Sequence, residues 1–136
     1  MGFFKTLACA ALAAIPMTSA YINNLSSPDT AVAGSKITAT LTTSIYVQNF
    51  IDYSIIWGLA PAAWDCGETI CIGQQIDYTS IYPGSVPLNS FTVNLTIPDS
   101  ISAGDYKLVA AVPYLVGASG TIGTNAFYTN LTVAAA

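Results

Sequence analysis

From Lys36 onward the chain alternates. Ile37, Ala39 and Leu41 are interleaved with Lys36, Thr38, Thr40 and Thr42, the period-two signature of a half-buried strand rich in β-branched residues. Ile51, Tyr53, Ile55, Trp57 and Leu59 alternate with Asp52, Ser54, Ile56 and Gly58 until Pro61 ends the run, which aims Trp57 inward and Asp52 outward. Phe91, Val93, Leu95 and Ile97 alternate with Thr92, Asn94 and Thr96, closed by Pro98-Asp99. A short first strand falls near residues 21–25, ahead of a turn-prone stretch at 27–35. An edge strand at 76–82 stops at Pro83-Gly84, and two last strands at 105–115 and 125–133 are joined by a Gly-rich turn at 117–123. No stretch after Ala20 carries a helical period. Six or seven short strands punctuated by turns predict one all-β domain, an antiparallel sandwich of the immunoglobulin or fibronectin-III type.

Two aromatic residues sharpen that expectation. Tyr106 opens a strand just after the crossing Ile101-Ser102-Ala103-Gly104-Asp105, the sequence setting of a tyrosine corner, in which a buried ring returns its hydroxyl to backbone a few residues upstream. Trp57 faces it from the third strand as a core residue. The penultimate strand is apolar on both faces: Tyr106, Leu108, Ala110 and Val112 inward, Val109, Ala111, Pro113 and Leu115 outward. Antiparallel sheets usually keep one face polar. If the third, sixth and seventh strands share a sheet, Ile56, Val109, Ala111 and Tyr128 lie together on its outer face, with Tyr114 and the loop at 57–74 extending the patch. Such a patch marks a partner site, unless a loop or the carboxy-terminal tail folds over it.

The amino terminus stands apart. A short positive start (residues 1–5), an apolar stretch at 7–15 and the small-residue exit Thr18-Ser19-Ala20 read as a signal peptide over residues 1–20, cleaved before Tyr21. The apolar stretch is shorter than the roughly 20 residues a bilayer span needs. The expected mature domain, residues 21–136, is secreted and not inserted in a membrane.

Only 7% of the chain is charged, against about 25% in an average protein, so Ser, Thr, Asn, Gln and Tyr must make the wet surface. Once Lys5 leaves, Lys36 and Lys107 stand against seven acids, a formal charge of −5. That excludes a basic patch for nucleic acid and disfavours anionic lipid surfaces. Cys66 and Cys71 are the cysteines after Ala20, and in an oxidising compartment they form a local disulfide. Asn24, Asn94 and Asn130 each begin an Asn-Leu-Ser/Thr acceptor for N-linked glycans.

Catalysis is disfavoured by composition. The chain has no His, so neither a Ser-His-Asp nor a Cys-His nucleophile can be assembled, and a zinc site would lack ligands. The carboxylates are scattered, Asp65 and Glu68 being the nearest pair in sequence. No helix follows the Gly-rich turn to cradle a phosphate. The expectation is a binding protein without cofactor or metal.

The signal peptide followed at once by Tyr21-Ile22-Asn23-Asn24-Leu25, the Trp57-Gly58-Leu59-Ala60-Pro61 stretch, and residues 104–133 with Leu115-Val116-Gly117-Ala118-Ser119 and Asn130-Leu131-Thr132-Val133 together resemble the necrosis-inducing secreted effector family of fungi. The resemblance covers nearly the whole chain. It implies a protein that dampens plant pattern-triggered immunity by engaging receptor-associated kinases, and that provokes cell death when overproduced. Kinases on the cytosolic side would require entry into a host cell. An extracellular adhesion or cell-wall module built on the same sandwich is the alternative.

Overall fold

The computed structural model describes residues 19–46 and 49–136; most of the expected signal peptide, residues 1–18, lies outside the described residues. Nine strands are present among the described residues: β1 (Ser19–Ser26), β2 (Thr30–Val32), β3 (Lys36–Tyr46), β4 (Phe50–Asp52), β5 (Ser54–Pro61), β6 (Gln74–Ser80), β7 (Ser90–Thr96), β8 (Gly104–Val116) and β9 (Thr121–Ala134). They form two sheets. One has the order β1-β3-β7, the other β2-β9-β8-β5-β6, with β4 also paired to β8. This is an immunoglobulin-like sandwich, in which the third expected strand and the last two do share a sheet.

The alternation seen in sequence sets which face is buried. Ala39 and Leu41 on β3, Leu95 on β7, Ile55, Trp57 and Leu59 on β5, and Leu108, Ala110 and Val112 on β8 close the interior between the sheets. Trp57 is fully buried, and its indole Nε1–H donates to Thr79 Oγ1 (3.0 Å), so the largest core side chain leaves no donor unmet. Tyr106 packs against the same core and its hydroxyl donates to the Ser102 carbonyl four residues upstream (2.8 Å). That bond pins the crossing from β7 to the start of β8.

Three local features depart from the expected pattern. The turn-prone stretch holds a short strand, β2, which pairs in parallel with the end of β9. The hairpin between β8 and β9 is tighter than expected, so Gly123 lies inside β9, where a side chain would collide with the ring of Tyr114 directly across the ladder. The third expected strand is broken at Tyr53. Asp52 stands opposite Tyr114 and Ile56 opposite Ala111, so four steps along one strand match three along the other. The extra residue is a β-bulge. Tyr53 N–H donates to Pro113 O (2.9 Å), while its carbonyl accepts from Ile81 and Tyr82 (3.0 Å each). Across the bulge the alternation reverses, and Asp52, expected to face outward, points into the sandwich at 4% exposure.

Candidate functional site

The outer face of the larger sheet is where the expected patch should lie. In register, Ile56 pairs with Ala111 and Gly58 with Val109, while Val109 in turn pairs with Tyr128. These residues do share one face. It is not open, however: Val109 and Ala111 are 0% and 4% exposed yet sit outside the main core cluster, which corrects the reading of both as accessible. For Val109 the cover is the segment joining β5 to β6. Ile72 lies over the Gly58 position so closely that its backbone and Cβ fill the space of an added side chain, and it therefore sits above the Gly58–Val109 pair. The covering loop weighed in sequence is what is found here.

Tyr114 belongs elsewhere. It alternates in phase with Ala110 and Val112, so it is on the inner side, where its ring stacks on Phe50 (5.1 Å between centroids), which in turn meets Tyr21 (4.9 Å). This ladder closes one end of the sandwich and does not extend the patch. Ile56 is half-buried and Tyr128 half-exposed on the outer face.

The loop itself forms the accessible surface. Cys66 and Cys71 are bridged, with Cα atoms 6.1 Å apart, and the enclosed turn is stitched by Thr69, whose N–H and Oγ1–H both donate to Cys66 O (3.2 and 2.9 Å), and by Gly67 N–H to Asp65 Oδ1 (3.0 Å). Ala62 N–H donates to Asp105 O (3.1 Å) and Trp64 N–H to Pro61 O (3.0 Å), tying the loop's first residues to the sheet. Lys107 Nζ donates to Trp64 O (3.4 Å) and lies 5.8 Å from the centre of the Tyr128 ring, a cation–π distance. Between loop and sheet is an open cleft of about 450 Å³, lined by Ala60, Trp64, Cys66, Cys71, Lys107 and Tyr128. Trp64 and Tyr128 are each 50% exposed, and Ile70 is 41% exposed at the loop's tip.

Two large aromatic surfaces and an aliphatic one, edged by the exposed acids Asp65 and Glu68, offer what protein interfaces use for anchoring, apolar area with a polar rim. Trp64, Ile70 and Lys107 were not singled out in sequence. The available signal was a Trp two residues ahead of a disulfide loop, an apolar residue with no strand to belong to.

Asn24, Asn94 and Asn130 are all exposed. Asn24 and Asn94 lie on the outer face of the small sheet, opposite Thr42 and Thr38, and Asn94 Oδ1 accepts from Thr38 Oγ1 (2.9 Å). Asn130 stands opposite Lys107 on the outer face of the larger sheet, beside the cleft. Among the described residues there is no group of three potential metal ligands and no helix long and apolar enough to cross a membrane.

Comparison with known proteins gives concordant matches. The model of the Nis1 family matches residues 18–132. A protein called Necrosis-inducing secreted protein 1 from Colletotrichum orbiculare is 34% identical over 121 residues, covering 89% of this chain and 74% of that one. A protein of the same name from Colletotrichum higginsianum is 30% identical over 133 residues, covering 96% and 90%. Among solved structures, AggA, the major subunit of aggregative adherence fimbriae type I from Escherichia coli, is a loose likeness: TM-score 0.38, 14% identity, 85% of this chain and 96% of that one.

Proposed function

The chain belongs to the Nis1 family, and from that premise we propose that it is a secreted fungal effector that provokes necrosis in plant tissue, binds host receptor-associated kinases and suppresses pattern-triggered immunity. The observation that carries this reading is the match along almost the whole domain to two relatives named as necrosis-inducing secreted proteins. The protein acts by binding, not by catalysis: with no His in the chain, its strongest chemical asset is surface, and that surface is the disulfide loop seated on the outer sheet face. Trp64 and Tyr128 anchor the partner, with Ile70 exposed on the same loop as Trp64, and the acids Asp65 and Glu68 favour a partner whose groove is apolar and rimmed with basic groups. Lys107 holds the loop down through the Trp64 carbonyl and sets one positive charge inside the cleft, beneath the two acids of the loop. Action on a kinase inside the plant cell requires that the folded, disulfide-bonded domain enter it.

The test uses the oxidised chain from Tyr21 onward. It is infiltrated into leaves to score necrosis and immune output, and in parallel captured on plant receptor-associated kinase domains beside a Trp64→Ala plus Tyr128→Asp double variant. Both positions are half-exposed, so the variant should melt close to the parent. Kinase capture by the parent, lost in the folded variant, supports the effector reading through this surface. No capture and no necrosis by the parent would move the assignment to an extracellular adhesion or wall module.

A further inference from the structure

Among the described residues, Asp52 is the side chain that is buried with a polar atom unpartnered: Oδ2 accepts from Ile22 N–H (2.8 Å), while Oδ1 has no hydrogen-bond partner. An unmet buried acceptor is destabilising, and more so when charged. Beside it is an open cavity of about 290 Å³ lined by Ala20, Ile45, Phe50, Ser85, Val86 and Leu88, with room for a small group next to the carboxylate. Of the titratable residues on the elements packed against it, Tyr114 stands opposite Asp52 on β8 and Tyr21 precedes Ile22 on β1, while the 84–88 segment carries none. Neither lysine of the described residues is at hand, since Lys36 is at the far end of β3, paired with Thr96, and Lys107 is on the other face of the larger sheet. Burial pushes the carboxyl up to about 6. The site has the shape and chemistry of a receptor for a small cation.

The cation is available within the chain. The backbone nitrogen of Tyr21 is one residue from that of Ile22, a rise of about 3.4 Å along a strand. While the Ala20–Tyr21 peptide is intact, that nitrogen is an uncharged amide whose N–H points the opposite way from Ile22 N–H, toward β3. We infer that Asp52 is the receptor for the α-ammonium group created by cleavage between Ala20 and Tyr21, so that maturation installs a buried ion pair the uncleaved chain lacks. The inference rests on reading residues 1–20 as a removable leader. In the cleavage, water adds across the amide: its hydroxyl goes to the Ala20 carbonyl carbon, which departs as a carboxylate, and both hydrogens end on the Tyr21 nitrogen as ammonium. Freed from Ala20, the group turns about the Tyr21 Cα–C bond with three donors to offer Oδ1, and the departure of Ala20 widens the cavity. Timing follows from register. Ala20 pairs with Ile45 and Tyr21 with Ser44, so the bond is closed to a protease once β1 docks, and cleavage precedes folding.

Two measurements test this. The full chain is expressed in a secreting eukaryotic host and the amino terminus of the product in the medium is read by mass spectrometry; Tyr21 is expected. Oxidised chains beginning at Tyr21 and at Ser19, each with Asp52 and with Asp52→Asn, are then melted at pH 7, and the α-amino group is titrated by ¹⁵N NMR. The Tyr21 chain should melt about 4 °C or more above the Ser19 chain, the gap should close in Asp52→Asn, and the amine should titrate above its ordinary range of about 7.7–8.0. Equal melting of the two parent chains with an ordinary amine titration would overturn the pairing; a secreted terminus other than Tyr21 would overturn the maturation step. Should Asp52→Asn fail to fold, the parent chains and the amine titration decide.

Discussion

Ile72 occupies the space that any side chain at Gly58 would need. The absence of a Cβ on β5 is therefore what lets the disulfide loop lie flat on the sheet and hide Val109. Gly58→Ala should cost about 1–3 kcal/mol as an overpacked contact and lift the loop. Limited proteolysis would then cut between residues 62 and 73 in the variant and spare the parent, and capture of any partner that uses Trp64 would weaken with it.

The hydroxyl of Tyr106 contributes a different kind of stability. Tyr106→Phe keeps the ring against the core but leaves the Ser102 carbonyl without its donor. The expected loss is about 0.5–1.5 kcal/mol, read as a lower urea midpoint with an unchanged slope. An unaltered midpoint would mean that water replaces the hydroxyl without loss.

Removing the disulfide should separate fold from surface. The bridge spans a sequence separation of five, a loop worth about 2 kcal/mol in chain entropy. The interior between the sheets does not depend on it. The Cys66→Ser plus Cys71→Ser variant should keep the far-ultraviolet spectrum of the parent, melt a few degrees lower, and show Trp64 fluorescence moved toward that of a solvated indole.

Asp52 gives the uncleaved chain an unusual pH response. Its folded carboxyl titrates at about 6, against an ordinary 3.8, with burial as the main cause and the Ile22 N–H opposing it. The folded state thus binds the proton more tightly than the unfolded state. Its contribution is greatest below pH 4, falls by up to about 1.4 kcal/mol per unit as pH rises toward 6, and is flat above. The difference in melting temperature between a chain that retains Ala20 and its Asp52→Asn variant should follow that curve. A chain beginning at Tyr21, with the ammonium in place, should show a much shallower one.

What could be read in the sequence was whatever strict alternation encodes. Leu41, Leu95 and Leu108 fall on buried faces because nothing interrupts the period around them, Trp57 because the bulge at Tyr53 precedes it and leaves Ile55, Trp57 and Leu59 in phase, and Tyr106 carries its own local signature. Asp52 was misplaced because an alternating run carries no mark of one extra residue; the bulge at Tyr53 is set by Pro113 and Ile81, remote in sequence. Alternation places Val109 and Ala111 on the outer face, but what covers Val109 is a loop whose path depends on Gly58 and on Lys107 reaching the Trp64 carbonyl. Such long-range contacts leave no periodic trace, so the candidate surface shifted from the strands to the loop above them.

The parallel pairing of β2 with the end of β9 has a mechanical consequence. Thr30, Ala31 and Val32 match Thr132, Val133 and Ala134, flanked by hydrogen bonds from Thr132 to Asp29 and from Ala33 to Ala134. Tension applied through the two ends of the domain pulls these strands past each other, so their hydrogen bonds resist together in shear and do not open one at a time like a zipper. A domain tethered at one end and gripped at the other would hold its shape until the whole clamp gave way at once.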